Sequence, residues 1–182
     1  TKTEHAFSFG AGRMALYAIL QALEIKEDDE IIIPAYTCVV VPNAIQYLDA
    51  KPIYVDIESQ FFNIDVSKIE LAITSKTKAL YAQHTFGVPC DIKTIRKIAD
   101  RHGLYVIEDA AHALGSVVDG VPVGALSDVA FFSTDHTKTI STHVGGMAVT
   151  NNPVLAEKLR IIQQSSPFLS GFVTRKILLT FM

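Results

Sequence analysis

The segment Asp91-Ile92-Lys93-Thr94-Ile95-Arg96-Lys97-Ile98-Ala99-Asp100-Arg101-His102-Gly103-Leu104-Tyr105-Val106-Ile107-Glu108-Asp109 reads as a helix, a stop and a strand. Ile92, Ile95, Ile98 and Ala99 recur at helical spacing. Asp91 suits the N-cap and Gly103 the C-terminal stop. Leu104 to Ile107 is a short run apolar on both faces, and it ends in two carboxylates. The same grammar repeats along the chain. Apolar runs at Ile31–Ile33, Pro52–Val55, Ala79–Ala82, Val129–Phe132 and Gly146–Val149 stop at Pro34, Asp56, His84, Ser133 and Thr150. Met14, Leu16, Tyr17, Leu20 and Leu23 form one further helical stripe, and Val66, Ile69, Leu71 and Ile73 another. Alternating βαβα units with doubly apolar strands predict an α/β fold, a mostly parallel sheet with helices on both faces. Ligands of such sheets bind beyond the carboxyl ends of the strands, so the polar residues that follow the strands are the site candidates.

Composition agrees with one globular unit. The chain has 182 residues, 49% of them hydrophobic and 19% charged, which is enough apolar material for a large core. A net charge of −3 with scattered basic residues argues against a nucleic-acid partner. The two cysteines, Cys38 and Cys90, make neither a disulfide framework nor a zinc motif, and fit a reduced, cytoplasmic setting. No apolar run reaches the roughly 20 residues of a membrane span. The opening Thr1-Lys2-Thr3-Glu4-His5 is no signal peptide. The apolar residues from Pro167 to Met182, interrupted by Arg175 and Lys176, read as a chain cut in mid-structure that would pack against another copy or its own domain.

Three constellations carry chemistry. Gly10-Ala11-Gly12-Arg13-Met14-Ala15 opens a helix. It can be read as a dinucleotide fingerprint, a phosphate site at a helix N-terminus, or a plain entry turn. The dinucleotide reading lacks its acidic residue, because the next strand ends in Pro34. Val106-Ile107-Glu108-Asp109-Ala110-Ala111-His112 puts a carboxylate at a strand end with an imidazole close behind. Either Glu108 or Asp109 could face the cleft, where it could hold a protonated ring nitrogen. Phe131-Phe132-Ser133 leads into a hydroxyl-rich loop that carries Lys138 and closes at Gly145-Gly146. Such a lysine becomes a nucleophile when desolvation or a nearby cation depresses its pKa. Asp135-His136 and His143 lack a third ligand for a metal.

Taken in this order, with Pro34-Ala35-Tyr36-Thr37 and Ala50-Lys51-Pro52-Ile53-Tyr54-Val55-Asp56, these motifs resemble the DegT/DnrJ/EryC1/StrS family from about Phe7 to about Arg160. That family comprises pyridoxal-phosphate-dependent sugar aminotransferases of the aspartate-aminotransferase fold (fold type I). The resemblance implies that residues 1–165 are the large, pyridoxal-phosphate-binding domain and 166–182 the start of a truncated C-terminal region. It implies that Lys138 forms the Schiff base and shuttles the proton. Asp109 would pair with the pyridine nitrogen, and His112 would sit near the phenolic oxygen. Ser133 and the backbone N–H groups of Gly12 and Arg13 would hold the phosphate. The implied substrates are a nucleotide-linked keto-sugar and an amino-acid donor, and the implied assembly is a homodimer. Three positions depart from the family pattern. Cys38 stands where an aromatic residue usually stacks on the cofactor, leaving Tyr36, His84 or Phe86 for that role. His136 is shifted by one, and Val144 replaces an acid. Lys138 speaks against the family's dehydratases, in which histidine replaces lysine. The alternative class is a non-catalytic, pyridoxal-phosphate-binding regulatory module or an inactive fragment.

Overall fold

The computed structural model describes residues 1–167 and 170–180; Phe168, Leu169, Phe181 and Met182 of the apolar C-terminal segment lie outside them, as do the side chains of Ile177, Leu178 and Thr180. In chain order the elements are β1 (His5–Phe9), α1 (Gly12–Ala22), β2 (Glu30–Pro34), α2 (Val40–Gln46), β3 (Lys51–Val55), α3 (Val66–Ala72) and β4 (Thr77–Gln83). They continue with α4 (Ile92–His102), β5 (Tyr105–Asp109), β6 (Val117–Val118), β7 (Val121–Pro122), β8 (Val129–Ser133), β9 (Gly146–Thr150), α5 (Pro153–Ser165) and α6 (Gly171–Thr180). Seven strands form one sheet in the order β1-β9-β8-β5-β4-β2-β3. The pairings from β3 through β8 are parallel. β9 runs antiparallel to both β8 and β1.

The doubly apolar strands are explained by the two-residue period of the pleat. Ile31, Ile33, Tyr81 and Ile107 face one side, where they pack with Leu16, Ile19 and Leu20 of α1, Ile45 of α2 and Leu159 of α5. Ile32, Leu80 and Val106 face the other, against Ile69 of α3 and Ile92, Ile95 and Ile98 of α4. Asp91 caps α4 by accepting from Thr94 N–H, and Gly103 ends it in the left-handed region at φ 65°.

Two local readings need correction. Met14 is half exposed, because the buried side of α1 is built from Ala15, Leu16, Ala18, Ile19, Leu20 and Ala22. The small alanines let the helix lie close between the sheet and its neighbours α2 and α5. Leu71 is 89% exposed; α3 is too short to bury more than one stripe, and Ile69 forms it. Phe7-Ser8-Phe9 lies within the edge strand β1, with Phe7 opposite Ala148 and Phe9 opposite Gly146. The β6–β7 hairpin has no counterpart in the sequence reading, although Asp119 and Gly120, both at positive φ, form the Asp-Gly turn that announces such hairpins.

The start of α1 is held by β9. A Cβ on Gly146 would lie 2.4 Å from the Gly12 nitrogen and 2.5 Å from the Ala11 carbonyl carbon. These are backbone atoms that no rotamer change can move aside. Gly146→Ala should therefore cost about 3 kcal/mol through overpacking, read as a lower urea midpoint with an unchanged slope. An unchanged midpoint would show that the two backbones separate freely.

Candidate active site

A cleft of about 490 Å³ opens at the carboxyl ends of β2, β4, β5 and β8, beside the N-terminus of α1. The six residues to which the family resemblance gives a role line it: Gly12, Arg13, Asp109, His112, Ser133 and Lys138; Glu108, the alternative to Asp109, does not. Tyr36, Cys38 and Phe86 stand in the same wall.

α1 begins without a side-chain cap. Its first hydrogen bonds run from Met14 N–H and Ala15 N–H to the Ala11 carbonyl, at 3.0 and 3.1 Å. The N–H groups of Gly12 and Arg13 thus precede the helical ladder, at the positive end of the helix dipole. Gly12 lies so close to β8 that a Cβ there would meet the Ser133 Cβ at 2.9 Å. A helix start and the Ser133 hydroxyl therefore form one small cradle.

The pleat sends the two carboxylates of β5 opposite ways. Glu108 is fully buried on the α4 side. Its carboxylate accepts from His84 Nε2 at 3.0 Å, Gly124 N–H at 2.8 Å, Leu126 N–H at 3.3 Å and the Ser127 hydroxyl at 3.0 Å. Cys90 N–H donates to His84 Nδ1 at 3.0 Å, so the ring carries its hydrogen on Nε2 and donates it to Glu108. Burial pushes the Glu108 carboxyl up, but the hydrogen bonds from His84, Gly124 and Ser127 outweigh it and leave the group below the ordinary glutamate value. Asp109 lines the cleft instead. Its Oδ2 accepts from the Tyr81 hydroxyl at 2.5 Å and its Oδ1 from Ala111 N–H at 2.9 Å.

Lys138 sits in the loop that joins β8 to β9. The loop is closed by Thr134 N–H on the Gly145 carbonyl at 3.0 Å, Thr142 N–H on the Thr134 carbonyl at 2.9 Å and a Thr134–Thr142 hydroxyl contact at 2.7 Å. His112 stands across from Lys138. Burial, and then the Lys138 charge, lower its pKa, with Asp109 opposing them in part.

Of the three residues considered as partners for a cofactor ring, His84 is buried with both nitrogens engaged. Tyr36 and Phe86 are exposed on the rim, with ring centres 6.1 Å apart. Phe86 lies parallel to His112, with centres 6.4 Å apart and planes within 2°. The sequence reading passed over Tyr81 and Gln83. Gln83 ties the loops after β2 and β4 together, accepting from the Thr37 hydroxyl at 2.6 Å and donating to the Tyr36 carbonyl at 3.0 Å and the Thr85 hydroxyl at 2.9 Å. A polar side chain at the end of an otherwise apolar strand was the signal for Gln83; Tyr81 lies inside the strand and carries no such local signal.

The donor set fits pyridoxal 5′-phosphate: an anion cradle at Gly12, Arg13 and Ser133, a carboxylate at Asp109, and an amine between walls of aromatic and apolar residues. Among the described residues no three His, Cys, Asp or Glu side chains group to hold a metal ion. No described helix is long and apolar enough to cross a membrane.

The sequence profile of the DegT/DnrJ/EryC1/StrS aminotransferase family matches residues 1–168. The chain belongs to this family. It is 40% identical over 164 residues to a GDP-perosamine synthase of Vibrio cholerae, covering 90% of this chain and 45% of that protein. It is 39% identical over 157 residues to the UDP-N-acetyl-3-dehydro-alpha-D-glucosamine 3-aminotransferase of Acidithiobacillus ferrooxidans, covering 86% and 42%. Among solved structures, DesV of S. venezuelae, in complex with a ketimine intermediate, superposes with a TM-score of 0.87 at 36% identity, over 93% of this chain and 46% of that one. This DegT-family chain thus spans less than half the length of these relatives, and the α/β fold expected from its sequence is the one it shares with them.

The electrostatics of the cleft can be checked directly. The His112 imidazole should titrate below its ordinary value, and Lys138→Met should raise its pKa by removing a facing cation. NMR titration of the ring protons reads both values. An unmoved His112 would show that the amine does not face it.

Proposed function

We propose that this chain is the cofactor-binding portion of a pyridoxal-phosphate-dependent aminotransferase that moves an amino group from an amino acid to a nucleotide-linked keto-sugar. The observation that carries this reading is the convergence of a helix-start anion cradle, Asp109 and Lys138 on one cleft. The GDP- and UDP-sugar names of the relatives support the substrate class.

Bound there, pyridoxal phosphate supplies an electron sink for amino-group transfer. The chain's own residues do the rest. The N–H groups of Gly12 and Arg13, with the Ser133 hydroxyl, bind the phosphate at the α1 N-terminus. Asp109 holds the proton of the ring nitrogen through a charge-assisted hydrogen bond. His112 would orient the cofactor near its phenolic oxygen, and the Lys138 amine would attach it and, once displaced by the incoming amino donor, would be free to accept and return the proton that moves during transfer. Residues 1–165 form the cofactor domain in this reading. A homodimer in the cytoplasm is the assembly that goes with it, and the exposed Phe172 and Leu179 of α6 supply apolar surface for such packing. An amine, a carboxylate and an anion cradle in one cleft support the enzyme over a non-catalytic regulatory module.

Borohydride reduction of the pyridoxal-phosphate-loaded protein followed by peptide mapping should place the pyridoxyl group on Lys138. Lys51 and Lys158 are paired at the surface with Asp28 and Glu24. A label on either of those instead of Lys138 would overturn the assignment.

A further inference from the structure

Tyr81 is a phenol in a place where the strand pattern asks for an aliphatic residue. It lies in the middle of β4, 1% exposed, among the apolar residues that face α1, with the Phe131 ring centre 6.3 Å away. In the parallel register Tyr81 stands opposite Ile107 and Gln83 opposite Asp109. Tyr81 and Asp109 are therefore diagonal neighbours on one face of the sheet. The phenol spans that diagonal to reach Asp109 Oδ2 at 2.5 Å, the short end of the range for a hydroxyl on a carboxylate. Ala111 N–H takes Oδ1. One donor from β4 and one from the turn after β5 thus hold the two oxygens, which fixes the carboxylate plane while leaving lone pairs for a group in the cleft.

We propose that Tyr81 is a positioning residue for the cofactor's ring nitrogen: its hydroxyl donates to Asp109 and holds it oriented, so that the proton shared between Asp109 and the ring resides on the ring nitrogen. This rests on the reading of Asp109 as the partner of that nitrogen. A donor on Asp109 stabilises the carboxylate over the carboxylic acid, and so favours the arrangement with the proton on nitrogen. Tyr81 keeps its own proton, because burial and the adjacent Asp109 raise its pKa well above the ordinary tyrosine value. The other titratable groups that line the cleft are Arg13, Tyr36, Cys38, His84, His112, Asp135 and Lys138, and none of them makes the hydrogen bonds that hold the Asp109 oxygens.

The test uses the full chain and pyridoxamine 5′-phosphate labelled with ¹⁵N in the ring, which binds without a covalent link. The wild-type complex should show a pyridinium-like ¹⁵N shift. Tyr81→Phe should move the shift toward the neutral pyridine value and weaken binding by about tenfold, the loss of one hydrogen bond to a charged group. Asp109→Asn separates the proposal from the reading beneath it. If Asp109→Asn matches wild type in shift and affinity, or wild type fails to bind, the role of Asp109 falls and the proposal with it. If Asp109→Asn changes both while Tyr81→Phe changes neither, the proposal alone is overturned. A thermal melt of the unloaded variant shows whether Tyr81→Phe is folded. If it is not, Tyr81→3-fluorotyrosine decides: this stronger donor should move the shift away from the neutral value, and an unmoved shift overturns the proposal.

Discussion

A buried carboxylate has to be answered by donors, and the answer to Glu108 organises the sheet around β5. Its partners come from the turn after β4, through His84, and from the segment before β8, through Gly124, Leu126 and Ser127. His84 in turn is fixed by Cys90 N–H, just ahead of α4. One side chain therefore registers β4, β5 and the approach to β8. Leaving such a group unpaired costs more than the gain from any single bond, so the arrangement tolerates little slip. Because neighbours on a strand face opposite ways, fixing Glu108 toward α4 also fixes Asp109 toward α1 and the cleft. The structural and the chemical carboxylate are set by the same alternation.

The sequence spoke clearly wherever short-range rules decide the outcome. Strand ends at Pro34, Asp109 and Ser133, and the cap and stop of α4 at Asp91 and Gly103, follow from local chemistry and stand where that chemistry puts them. The gathering of Gly12, Asp109, His112, Ser133 and Lys138 follows from the rule that strand ends share one edge of a parallel sheet. What stayed hidden depends on neighbours distant in the chain. Met14 and Leu71 fit an apolar stripe by spacing, yet which part of a helix is covered depends on what packs against it. Tyr81 looked like one more apolar residue of β4, because only the register with β5 brings Asp109 within its reach.

The rim of the cleft shows where local rules are overridden. Phe62 and Phe86 both adopt positive φ, at 62° and 53°, a conformation unusual for bulky side chains. They meet each other with ring centres 6.5 Å apart, and Tyr36 lies 5.8 Å from Phe62. Behind them, Asn63 is buried, with its Oδ1 accepting from Thr85 N–H at 2.9 Å and its amide donating to the Val88 carbonyl at 3.3 Å. Hydrogen bonds under the rim thus hold a backbone that the phenylalanines would not choose alone.

The contact between Gly146 and the Ala11–Gly12 backbone also has a consequence in time. The phosphate cradle is begun by residues that leave the ribosome well over a hundred residues ahead of β9, the strand that buttresses it. Until β9 is made, α1 has only part of its support and the edge strand β1 has no partner. A nascent chain of this family therefore cannot assemble the cradle gradually. It becomes able to take up cofactor only after β9 is made, so cofactor capture reports that the sheet has closed.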